Sequence, residues 1–194
     1  ALFVVAIGSI TATSLIITAL QSNSFSRDNL VALNLATEGI EAMRNIRDTN
    51  WLRFGFNKAG CWNMSPNVAN CDDPNNIIIG SHYTVDLDIN TMKWSLSQPM
   101  ARGLDLGNGN PTDNEFYRLK YVDLDGGSDH ELYVSTQIKP VLPAAVNGDS
   151  KFYRMLQIDY PANATPATAD EMTVTSMVQW EAQGVPHQVV LTTI

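Results

Sequence analysis

Residues 1–24, ALFVVAIGSITATSLIITALQSNS, carry no charged side chain, and the first charge is Arg27. A helix rises about 1.5 Å per residue, so roughly 20 apolar residues cross the hydrocarbon core of a bilayer. The stretch 1–20 is therefore a membrane-span candidate. A secretory signal peptide would lead with basic residues, carry a shorter apolar core and end in a small-residue cleavage site. Here no Lys or Arg leads, and the apolar run passes unbroken into a helical pattern, so a removable signal peptide is not expected. Gly8, Ser9, Thr11, Thr13 and Ser14 lie inside the run. Glycine and β-branched residues weaken a helix. In lipid the alternative is unpaired backbone, and the helix wins. Small residues also let helices approach closely. The segment suits two surroundings, bilayer and packed protein.

After Ser24 the apolar positions become periodic. Leu30, Leu33, Ala36, Ile40, Met43 and Ile46 recur at spacings of three and four, which is one face of a helix. Glu38, Glu41, Arg44, Asn45 and Asp48 take the other face. Glu41–Arg44 and Arg44–Asp48 are spaced for ion pairs worth a few tenths of a kcal/mol each. Gly39 costs such a helix about 1 kcal/mol relative to alanine. No proline precedes Pro66, so the pattern predicts one helix from residue 1 to about 53, roughly 80 Å long. Its first half is apolar all round and its second half has one apolar stripe. Leu30, Leu33, Ile40, Met43, Ile46 and Trp51 are the expected contacts with a following domain.

Residues 55–75 read as irregular loop. Strand-like runs follow at 77–89, 92–97, 115–124, 130–142, 151–161, 171–180 and 187–194. Asp125-Gly126-Gly127 and Gln183-Gly184 mark hairpin turns. The expected fold class is α+β: a long N-terminal helix, apolar then amphipathic, packed against an antiparallel β-sheet head. The expected division is a helix over 1–54, split at 24/25, and a β-rich head over 55–194.

Charge sharpens this picture. Within 1–54, Arg27, Arg44, Arg47 and Arg53 balance Asp28, Glu38, Glu41 and Asp48, so residues 55–194 hold the whole net charge of −8. An acidic body argues against nucleic acid, whose phosphates need a basic surface. It suits a solvated surface that resists clumping. Cys61 and Cys71, close together beside a membrane-like segment, read as a disulfide formed in an oxidising compartment. Two cysteines with no nearby histidine are too few for zinc.

Candidate chemistry is sparse. Asp123, Asp125, Asp129 and Glu131 lie close together in VDLDGGSDHE, where D-x-D-G resembles the start of a calcium loop. Solvated acids around a hairpin turn are the plainer account. LDLGNGNPTDNE, 104–115, is similarly rich in oxygen donors, with turn geometry as its plainer account. Calcium is the one cofactor considered. His82, His130 and His187 form no catalytic spacing with Ser, Cys or Asp, and no phosphate loop follows a strand, so no enzyme is expected. Trp51, Trp62, Trp94 and Trp180 are expected in the core, with Trp62 over the disulfide. Asn63-Met64-Ser65 and Asn163-Ala164-Thr165 match the N-glycosylation pattern.

The layout resembles a type IV pilin or a pseudopilin of a type II secretion system: an apolar helix, an amphipathic continuation, a disulfide loop and a terminal β-sheet. ALFVVAIG is similar to the run after the family's processing site, and ATEGIEAMRNIRDTNW (36–51) to its second helical half. The family carries a motif ending in glutamate just before such a run. No acid precedes Asp28 here, so the sequence is expected to start a few residues after that motif, and no residue takes that glutamate's role. The cysteine pair follows the helix directly, whereas many members staple a loop near the C-terminus.

The resemblance implies a subunit held in the cytoplasmic membrane, its head outside. Pilus assembly machinery driven by ATP extracts it into a homopolymeric filament on the cell surface. Leu2, Phe3, Val4, Val5, Ile7, Gly8, Ile10, Leu15, Ile16 and Leu20 would pack against identical subunits. A membrane-anchored binding module, adhesin or sensor, is the alternative, as is a minor pilin or secretion pseudopilin.

Overall fold

A computed structural model describes residues 2–66, 68–71, 77, 80–88, 91–123, 131–135, 146–162, 164–165 and 168–194, with the side chains of 2, 4–8, 10, 122–123, 131–132 and 146–147 excepted. The fold is α+β. One helix, α1, runs unbroken from Leu2 to Arg53. A single turn, α2 (Lys58–Cys61), follows it, capped by the Asn57 side chain. The strands are β1 (Ser81–Tyr83), β2 (Val85–Asp88), β3 (Lys93–Leu96), β4 (Arg118–Asp123), β5 (Glu131–Ser135), β6 (Val146–Asp159), β7 (Thr173–Ala182) and β8 (Val185–Thr193). A short helix, α3 (Pro111–Glu115), precedes β4.

The main sheet is antiparallel in the order β5-β4-β6-β7-β8. The central strand β6 is long enough to take β4 along its first half and β1 near its end. β2 and β3 form a separate hairpin. β7 turns into β8 through Gln183 and Gly184, whose φ values of 56° and 75° are those of a two-residue primed turn.

Several sequence expectations shift, each for a local reason. The run 77–89 divides at Thr84 into β1 and β2, because Thr84 leaves the main sheet. Its N–H donates to Ser97 Oγ, and its hydroxyl accepts from Ser135 Oγ. The strand expected from 115 starts at Arg118, because Asn110 caps Pro111–Glu115 into a helical turn. The strand expected from 151 begins at Val146. The turn at 125–127 and the end of the run 130–142 lie outside the described residues.

The C-terminal half of α1 lies across the inner face of the sheet. Ala32, Leu35 and Ala36 meet Leu119, Phe152, Val178 and Trp180. Ile40, Ala42, Met43 and Ile46 join Leu156, Ile158, Val174 and Tyr83. Alternation along β6 and β7 supplies these inward rows.

Cys61 and Cys71 form a disulfide, with Cys61 packed beside Phe54 and Met64. Asn50, in the last turns of α1, donates to the carbonyls of Trp62 (3.2 Å) and Met64 (2.8 Å), tying the loop to the helix. Opening the disulfide in a Cys61→Ser/Cys71→Ser variant is expected to lower stability by about 2–3 kcal/mol through loop entropy. Urea unfolding of the two proteins measures this, and equal midpoints would show that the Asn50 bonds suffice.

Candidate assembly surface

From Phe3 to Arg27, every described side chain of α1 is exposed, and Asp28 is the first buried one. Over this length a helix projects about 36 Å. Phe3 is 76% exposed, Leu15 71%, Ile16 61% and Leu20 64%. Ala1 lies outside the described residues, as do the side chains of Leu2, Val4, Val5, Ile7 and Ile10 and the surroundings of Gly8. Among the described residues, no helix is long and apolar enough to cross a membrane. Three hydroxyls of this stretch bond back to the helix itself: Thr13 donates to Ser9 O, Thr18 to Ser14 O and Ser26 to Ser22 O. Bonding back to the i−4 carbonyl lets a polar residue sit in a helix with no outside partner.

The helix reaches the sheet at a fixed base. The Phe25 ring lies 5.0 Å from that of His187 and 6.5 Å from that of Trp180. Asp28, buried, pairs with Lys151. From this base upward the buried positions of α1 are Asp28, Ala32, Leu35, Ala36, Gly39, Ile40, Ala42, Met43, Ile46 and Asn50. Ile40, Met43 and Ile46 face the sheet.

Leu30, Leu33 and Trp51 do not face it, which corrects the expected stripe: they are 62%, 40% and 47% exposed. Small residues decide the phase. Ala32, Ala36 and Gly39 let the helix axis approach the strands, which leaves the bulkier Leu30 and Leu33 on the open flank. Trp51 stands beyond the last buried turn, with the Arg47 guanidinium 5.8 Å from its ring. Among the other tryptophans, Trp62 and Trp180 are buried and Trp94 is half-buried.

A charged cluster sits under the helix. Arg154 of β6 is 1% exposed and donates to Glu38 (2.8 Å), Leu35 O and Val85 O. Nearby, Asp86 of β2 accepts the Ser135 N–H at 2.8 and 2.9 Å. The sequence puts Glu38 on the polar face of the helix and Asp86, with Asp88, on one face of a strand as at a solvated edge; Asp86 is buried instead, and nothing in the sequence singled out Arg154. The available signal was alternation, which puts Arg154 in the same inward row as Phe152, Leu156 and Ile158.

Burial pushes the Asp86 carboxyl up to about 7, against the lowering pull of the Ser135 bond and Arg154. The native state therefore holds this proton between about pH 4 and 7, where the unfolded chain has lost it. Stability from this group is full below pH 4 and is lost as pH rises through 7. Relative to Asp86→Asn, the wild type is expected to lose up to about 1.4 kcal/mol per pH unit across this window. Denaturant melts from pH 4.5 to 7.5 test this, and parallel profiles would sink it.

The other candidates resolve variously. The side chains of Asp123 and Glu131, and all of Asp125 and Asp129, lie outside the described residues. Among the described residues, no group of His, Cys, Asp and Glu could hold a metal ion. In the 104–115 loop, the oxygens close turns. Asp105 Oδ1 accepts from Gly107 N and Asn108 N, Asn110 Oδ1 from Thr112 N, and Asn114 Oδ1 from Asp105 N. Asn63 is buried and donates to Tyr160, so that sequon is not an accessible one. Asn163 lies outside the described residues, as does His130. His82 bonds Met100 O, and His187 stacks on Trp180. No family model matches the chain, and no curated protein or solved structure shows significant similarity to it.

Proposed function

We propose that the chain is a structural subunit of an extracellular filament of the type IV pilus kind, with no catalytic role. One observation carries this reading: a single continuous helix whose upper half packs one face on a sheet and whose lower stretch, through Leu15, Ile16 and Leu20, is exposed. Apolar surface in water costs about 25 cal/mol per Å². Lipid relieves that cost before assembly, when the chain is a single-pass membrane protein. Identical neighbours relieve it afterwards, with the pilus machinery moving the subunit between the two. The apolar half then forms the filament core. The amphipathic half and the β-rich head form the outer coat, exposed outside the cell where a disulfide persists.

Electron microscopy of sheared cell-surface material tests this reading: the protein is expected in regular filaments. Leu15→Asp/Ile16→Asp leaves the described core untouched and places two charges in the core segment. It is expected to retain the disulfide and the circular dichroism of the wild type while forming no filaments. Wild-type-like fibres from this variant would refute the reading.

A further inference from the structure

A groove of about 530 Å³ opens between the upper turns of α1, the disulfide loop and the segment leading into β7. Its size falls in the usual range for small-molecule sites. Its floor is preformed and apolar: Ile40, Met43, Trp62, Met172 and Val174 are all buried. The Trp62 indole is fixed by donating to Ala169 O. The disulfide at Cys61 holds the adjoining loop.

The walls carry opposite charges. Arg44, Arg47 and Lys58 stand on the helical side, and Asp170 and Glu171 on the strand side. The arginines are each partnered on their own helix, by Glu41 and Asp48. Among the described residues, Lys58, Asp170 and Glu171 form no ion pair, although they line the same groove. Unpaired charges of opposite sign around an apolar floor are complementary to a molecule with charged ends and an apolar body.

We propose that this groove binds a short apolar peptide with free termini, its ammonium toward Asp170 and Glu171, its carboxylate toward Lys58 and its side chains on the floor. A fatty acid would leave the acids unmatched, and an apolar helix would leave both walls unmatched. The inference goes beyond the filament reading and does not depend on it.

The probe is leucyl-phenylalanine, titrated calorimetrically into the full chain in detergent micelles. Saturable binding with a Kd below about 1 mM is expected. N-acetylation and C-terminal amidation of the peptide are each expected to weaken binding about tenfold. Lys58→Gln, at an exposed position, is expected to weaken the free-acid peptide about tenfold and leave the amide unchanged. Absence of binding would overturn the proposal, as would equal binding of capped peptides or equal loss of acid and amide in Lys58→Gln. Binding that fades as protein concentration rises would place a second copy in the groove and also overturn it.

Discussion

Replacing Arg154 with alanine is expected to destabilise the protein by about 2–4 kcal/mol, mainly through the lost buried side chain and its bonds to carbonyls, since the Glu38 left behind is partly solvated. The guanidinium is 1% exposed and joins three segments: Glu38 and the Leu35 carbonyl on α1, and the Val85 carbonyl at the start of β2. Alanine leaves those carbonyls short of a donor and opens a cavity between helix and sheet. It also removes the positive charge that lowers the Asp86 carboxyl, so Asp86 is pushed further up. The loss is therefore expected to be greatest near and above pH 7, where Asp86 ionisation is already unfavourable. Arg154→Met, which keeps the volume, is expected to cost less than alanine. Paired with Glu38→Gln it is expected to cost less still, because no unpaired charge remains. Urea unfolding at pH 5 and pH 8 measures all three variants. Equal midpoints for wild type and Arg154→Ala would show that the cluster contributes nothing.

The same cluster marks what the sequence hides. Spacing predicted a helix through residue 53 because one apolar period persists with no proline to end it. The antiparallel runs were legible from alternation, and the β7–β8 turn from Gln183-Gly184. The stripe was legible at Ala36, Ile40, Met43 and Ile46, and its N-terminal end was not. Leu30 and Leu33 look like core residues, yet at that end the sheet takes Ala32 and Leu35, with Gly39 further along, and the small Ala32 and Gly39 let the helix come close. Hydrophobicity ranks a leucine above an alanine, while close approach ranks them the other way. Arg154 was missed for a related reason: a buried charge is settled by partners distant in sequence, Glu38 and Val85, which no local pattern links. The turn of α2 at Lys58–Cys61 was missed because four residues are too few to show a period. Asn57 and Asn110, each a helix cap, were the local signs that the two short turns exist.

Gly39→Leu is expected to cost about 3 kcal/mol, toward the upper end for overpacking a filled core. A Cβ at Gly39 would lie 2.6 Å from Ser176 Oγ and 2.9 Å from Leu156 Cδ2. Ser176 of β7 is fully buried, so it has no open side to retreat to. The helix would have to lift from the strands, and the contacts of Ala36, Ile40 and Met43 would loosen with it. Gly39→Ala sets two effects against each other. Alanine gains up to about 1 kcal/mol of helix propensity, while the contact with Ser176 removes some or all of it. Removing the obstacle separates them: in a Ser176→Gly background, Gly39→Ala is expected to be less costly than in the wild type, or stabilising. A double-mutant cycle by urea unfolding reads this coupling directly. Additive effects would mean that Gly39 and Ser176 do not meet, and that the helix crosses the sheet elsewhere. Since Gly39 sits where α1 crosses the strands, the cycle also reports on the lever that sets the angle between the exposed helix and the sheet. A shift in that lever would move the exposed Phe3, Leu15, Ile16 and Leu20 relative to the sheet. On the filament proposed above, Gly39→Leu is therefore expected to stop assembly before the sheet itself unfolds, and filament counts beside the melting curve would show the two losses at different temperatures.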